Sequence, residues 1–125
     1  AKASSKKTLF SAEERVELIR GAVSEFGDQV RVESFDGLLV DYVKSVSSSV
    51  IIRGLRAVAD YEYEAQMALV NRELDDDLET VFFVTSQHCS FISSSIVKDV
   101  AKSGGDLSSL VPANVSSKLK EAFKA

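Results

Sequence analysis

Two short apolar runs, Val50-Ile51-Ile52 and Val81-Phe82-Phe83-Val84, are each followed by a polar loop and then by a stretch of helical periodicity. A third stretch, Val30 to Phe35, alternates apolar and polar residues as a strand does. Strands alternating with helices at this spacing predict an α/β fold, a parallel sheet with helices on both faces. The visible strands number three, where such sheets usually have about five or six. A further strand is therefore expected before Ser11.

The helices can be placed from their ends. Ser11 can cap a helix running to Phe26, with Glu13 and Glu14 in its first turn and Val16, Ile19, Ala22, Val23 and Phe26 at helical spacing. A short helix is expected over Gly37 to Val46, with the serines 47 to 49 as the loop to the next strand. A longer helix follows from about Asp60 to Leu74, with Tyr63, Met67 and Val70 along one side. Another spans Ser94 to about Lys102 and is stopped by Gly104-Gly105, and a last one starts with Pro112 in its first turn.

At 125 residues the chain suits one domain with one core. A formal net charge of -4 excludes a surface that is basic throughout, so no nucleic-acid partner is expected and any anion site must be local. The acidic cluster Glu73, Asp75, Asp76, Asp77 and Glu79 lacks the spacing of a calcium loop and reads as a solvated helix end; no metal site is expected. Cys89 is the single cysteine and His88 the single histidine. An intrachain disulfide, a Cys/His zinc cluster and a triad needing two histidines are thereby excluded, and a reducing, cytoplasmic setting is expected. No apolar run is long enough for a membrane span, so no membrane partner is expected.

The chemistry concentrates in two loops, because ligands of open α/β sheets bind beyond the carboxyl ends of the strands. Arg53-Gly54-Leu55-Arg56, expected as the loop after one strand, sets two guanidiniums around a residue with no side chain to hold off a polyanion. Cys89-Ser90-Phe91-Ile92-Ser93-Ser94-Ser95-Ile96-Val97-Lys98 follows the next strand and runs into a hydroxyl-lined helix start. A helix N-terminus offers unpaired N–H groups and partial positive charge to phosphate. A serine run there can equally be a plain N-cap, and an Arg-x-x-Arg segment a plain solvated turn. Found together on one expected rim, the two favour phosphate binding. Lys6-Lys7 would add charge at that rim if a strand precedes them, and would otherwise be a solvated terminal pair.

Taken in order, these segments closely resemble the bacterial phosphopantetheine adenylyltransferases. The resemblance runs through Lys6-Lys7, Phe10 to Arg15, Ile52 to Glu64, Asn71-Arg72, Glu79-Thr80, Phe91 to Lys98 and Gly104-Gly105-Asp106. It implies a single nucleotidyltransferase domain of Rossmann-like fold over residues 1–125. The implied activity is transfer of AMP from ATP to 4'-phosphopantetheine, giving dephospho-coenzyme A and pyrophosphate, with magnesium, in a cytoplasmic homo-hexamer. Carried over residue by residue, Lys6 and Arg53 are the expected catalytic and substrate-binding residues, and Leu39 lines the pantetheine channel. Gly54, Leu55, Arg56, Glu64, Cys89, Ser90, Phe91, Ile92, Ser93, Ser94 and Ser95 are the expected nucleotide contacts, with Lys98 a phosphate neighbour.

The chain departs from the family pattern at its start. Family members open with a strand, a glycine-containing loop and a Thr/His-x-Gly-His motif that are not found here, and His88 lacks the Gly-His context to replace it. With Ala1 first and Met67 the only methionine, the domain is expected to be incomplete at its N-terminus and inactive as these 125 residues alone. The alternative is a non-catalytic nucleotide-binding or assembly module that has lost the histidine motif.

Overall fold

The computed structural model describes residues 1, 2 and 8–124. The chain divides into two compact units, one formed chiefly by Phe35–Phe91 and the other by Lys2–Ser34 with Ile92–Ala125.

The first unit contains the sheet. Helix α2 (Leu39–Ser45) leads into strand β1 (Val50–Leu55), helix α3 (Val58–Leu74) and strand β2 (Glu79–Val84). The strands pair in parallel, from Val50 opposite Glu79 to Leu55 opposite Val84. A parallel pair needs a long return, which α3 supplies as a right-sized crossover. The predicted α/β class with a parallel sheet and flanking helices is the architecture observed. Alternation along β1 sends Ile51 into a core with Val40 and Val43 of α2 and with Leu78, half-burying Leu39 against it. Val50, Ile52, Val81 and Phe83 alternate onto the opposite face and are exposed. On α3, Tyr63, Met67 and Val70 are likewise exposed.

The second unit is helical. Helix α1 (Ala12–Ala22) opens with a complete capping box: the Ser11 hydroxyl accepts from Glu14 N–H, and the Glu14 carboxylate accepts from Ser11 N–H. Helices α4 (Ser94–Lys102) and α5 (Ala113–Phe123) pack around Leu107, which is fully buried with Val97, Ala101 and Leu119. Asn114 of α5 donates to the Leu18 carbonyl at 2.8 Å, and Lys118 pairs with Glu14 at 3.3 Å, tying α5 to α1. The α4 end matches expectation: Gly104 takes φ +71°, and the N–H groups of Gly104 and Gly105 donate to Ala101 and Val100 carbonyls.

Several boundaries differ from expectation for identifiable reasons. Among the described residues there are two strands, not three, because Val30 to Phe35 has extended backbone at Val30 but no ladder partner. Alternation reports backbone shape, while a strand also needs a neighbour. Helix α1 stops at Ala22, and a 3₁₀ segment (Ser24–Gln29) with Gly27 at φ +50° replaces its predicted last turn. Pro112 stands at the N-cap of α5, one position earlier than predicted, where its missing N–H also costs nothing.

Candidate functional site

The Arg53 to Arg56 segment is not a loop, as the sequence suggested. Strand β1 continues through Leu55, since the ladder extends to Val84 and the N–H of Thr85 still donates to the Leu55 carbonyl at 2.9 Å. Arg53, Gly54 and Leu55 are therefore held by backbone pairing, and Arg56 is the first residue past the ladder. This makes the segment a rigid platform, because ladder residues have lost the backbone freedom that a loop keeps.

Arg53 points to α3. Its Nε donates to Glu64 Oε2 at 2.7 Å and its Nη2 to Glu64 Oε1 at 2.6 Å, the parallel two-bond arrangement that a guanidinium and a carboxylate share. The Glu64 side chain is 14% exposed and that of Arg53 48%. The hydrogen bonds from Arg53 hold the Glu64 carboxyl below its usual range, and the same bonds raise Arg53 further above neutrality. The geometry brings together these two residues, predicted separately, and leaves half of the guanidinium facing solvent.

Gly54 has open space where a side chain would be. A Cβ built there meets only Thr85 Oγ1, at 3.8 Å, and its φ is not in the left-handed region. Neither crowding nor backbone conformation within the fold requires glycine here, and the missing side chain leaves the backbone open to approach.

Arg56 is braced by Asp60, one turn into α3. Asp60 Oδ2 accepts from the Arg56 backbone N–H at 3.2 Å and from its Nε at 3.1 Å, and Oδ1 accepts from Nη2 at 3.4 Å. These contacts hold the Asp60 carboxyl below its usual range, Arg56 being the leading cause. Asp60 was absent from the residues singled out in the sequence. The Arg56-x-x-x-Asp60 spacing, at the start of a helix, was the signal that could have identified it.

The serine segment is shared between the two units. In the first, Cys89, Ser90 and Phe91 lie exposed in a turn after β2, where the N–H of Cys89 donates to the Ser86 carbonyl and the Ser90 hydroxyl donates to the Gln87 carbonyl. In the second, Ser93 is the N-cap of α4, its hydroxyl accepting from the Ile96 N–H at 3.3 Å. Ile92 packs inward on the helical core, while Ser94 and Ser95 are exposed in the first turn of α4. The plain capping role thus holds for Ser93, and its neighbours present hydroxyls and first-turn N–H groups to solvent. Lys98 is half-buried one turn further on. Leu39 is half-buried against the α2 core, and Lys6 and Lys7 lie outside the described residues.

Two guanidiniums are thus fixed at the carboxyl end of a parallel strand, with a glycine between them, at the strand end where open α/β sheets place their ligand sites. A cytidylyltransferase-like family model matches residues 1–100. A curated phosphopantetheine adenylyltransferase of Maridesulfovibrio salexigens is 54% identical over 115 residues, covering 92% of this chain and 69% of the relative.

This chain belongs to the phosphopantetheine adenylyltransferase family. It is thus a nucleotidyltransferase, a transferase that moves a nucleotidyl group between phosphates. Among the described residues, no group of three or more histidine, cysteine or carboxylate side chains is arranged to hold a metal ion, and no helix is long and apolar enough to cross a membrane.

Proposed function

We propose that the enzyme transfers AMP from ATP to 4'-phosphopantetheine, forming dephospho-coenzyme A and pyrophosphate. The observation that carries this reading is the pair of braced arginines flanking the open backbone of Gly54. The name of the Maridesulfovibrio relative supports the choice of acceptor.

The acceptor phosphate oxygen attacks the α-phosphorus of ATP, and the bond to the β-phosphate oxygen breaks to release pyrophosphate. No nucleophile from the protein is needed. The barrier comes from aligning two anions and from charge gathering on the phosphoryl oxygens. In the proposed roles, Arg53 and Lys6 neutralise the acceptor side. Gly54 and Leu55 give the nucleotide a flat backbone approach, with Glu64 and the Cys89 to Ser95 segment as further contacts. Arg56 and the first turn of α4 carry the triphosphate, and Leu39 borders the pantetheine arm.

Magnesium enters with ATP as part of the substrate, its preference for oxygen ligands met by phosphates and water. A homo-hexamer working in the cytoplasm completes the proposal. The test is pyrophosphate release with ATP and 4'-phosphopantetheine, with dephospho-coenzyme A identified by mass. Arg53→Ala is expected to lower turnover by orders of magnitude with the far-ultraviolet dichroism unchanged. A complete, folded protein that binds ATP yet makes no dephospho-coenzyme A would instead establish the nucleotide-binding module.

A further inference from the structure

We infer that Asp60 is a positioning residue for the nucleotide: it presets the Arg56 guanidinium at the start of α3 so that it meets the triphosphate already aimed. The inference rests on the function proposed above.

Three observations lead to it. Asp60 takes three hydrogen bonds from Arg56, one from the backbone N–H and two from the guanidinium, at 3.1 to 3.4 Å. Main chain and side chain of the same arginine are thereby fixed together. Second, Arg56 stands just before the N-cap Ala57, which offers no side-chain cap to the helix. A cation at the positive end of a helix is electrostatically disfavoured, whereas Asp60 in the first turn is favoured there. The carboxylate thus holds in place an arginine that the helix end by itself would not keep. Third, Arg53, three residues earlier and within β1, is held by a carboxylate in the same manner, that of Glu64, one turn beyond Asp60 on α3. Two carboxylates four residues apart on one helix thus brace two arginines that leave the same strand. The waiting site is close to charge-balanced, which lowers the mutual repulsion of the arginines before the nucleotide arrives, and an ordered guanidinium loses less entropy on binding than a free one.

The experiment is a double-mutant cycle over Asp60→Asn and Arg56→Ala in the intact enzyme. It reads kcat and KM for each substrate, titration with the unreactive analogue α,β-methylene-ATP, and thermal unfolding. The expected result is a loss of about tenfold or more in kcat/KM for ATP in Asp60→Asn, with KM for the acceptor within about twofold of wild type. In the Arg56→Ala background the same Asp60 change is expected to alter kcat/KM for ATP by less than about twofold, because the residue acts through Arg56. Analogue affinity should follow the same non-additive pattern whether or not turnover is seen. Effects that multiply independently, or an Asp60→Asn enzyme equal to wild type, overturn the inference while leaving the adenylyltransferase reading intact. A drop in unfolding temperature with unchanged ATP parameters assigns Asp60 a purely structural role and also overturns it. A wild-type enzyme inert toward both ATP and the analogue overturns the proposed function and the inference together.

Discussion

Glu64→Gln tests the brace under the platform most directly, since it keeps the shape of the side chain and removes its charge. In the native protein both Glu64 oxygens accept from Arg53, at 2.6 and 2.7 Å. Glutamine retains one acceptor and turns an NH₂ donor toward a second guanidinium donor, so one bond is lost and the other becomes neutral. The size of the loss follows from coverage. Fully exposed pairs contribute about 0–1 kcal/mol, and breaking a fully buried pair costs about 3–5 kcal/mol. With the carboxylate 14% and the guanidinium 48% exposed, a cost of about 1.5 kcal/mol lies between these limits. For 125 residues, an unfolding entropy of about 2.1 cal/mol/K per residue converts that to a fall in Tm of roughly 6 °C. The pH dependence supplies a control with a fixed sign. Arg53 depresses the Glu64 pKa below the ordinary value of 4.5, so its contribution is fully present above that value and is lost as pH falls through the lower, folded value. Calorimetry should therefore find the full gap between wild type and Glu64→Gln near pH 7 and a shrinking gap as the pH is lowered below 4.5. A gap below about 1 °C near neutrality, or one that persists undiminished at low pH, would refute the reasoning.

Leu107→Ala removes a fully buried side chain from the helical unit and should destabilise it by about 2–5 kcal/mol in urea unfolding, with an unchanged m-value. Gly104→Ala forces a Cβ into a left-handed backbone at φ +71° and is expected to cost about 1 kcal/mol by the same measurement. Ser93→Ala deletes the α4 cap and should cost about 0.5–2 kcal/mol, whereas Ser94→Ala should leave stability nearly unchanged and weaken ATP binding in calorimetric titration. Gly54→Ala should keep the wild-type Tm, since its Cβ meets only Thr85 Oγ1 at 3.8 Å, yet lose ATP affinity; an unimpaired titration would remove Gly54 from the nucleotide contacts.

Local signals carried much of this fold. Ser11 and Glu14 at capping-box spacing, Ser93 ahead of an amphipathic run and Gly104 after one are short-range devices, completed by hydrogen bonds within a few residues, and α4 lies where its sequence placed it. The apolar runs likewise marked β1 and β2, and their spacing required a helical crossover, hence parallel pairing. Residue type was legible too: the two arginines, the glycine between them and the serines at the start of α4 are visible in the sequence itself.

Partnership across the chain was decided by tertiary structure. Val30 to Phe35 has a strand's alternation but no ladder neighbour among the described residues, and Arg53 to Leu55 has a loop's composition yet is ladder, because its partner is Phe82 to Val84, far along the chain. Strand pairing is a property of two segments, so neither segment contains it alone. The same reason explains the site. The sequence displays Arg53 and Arg56 as two charges around a glycine; the packing of α3 on β1 turns them into two braced guanidiniums, and makes Asp60, read from the sequence only as the start of a helix, a member of the platform.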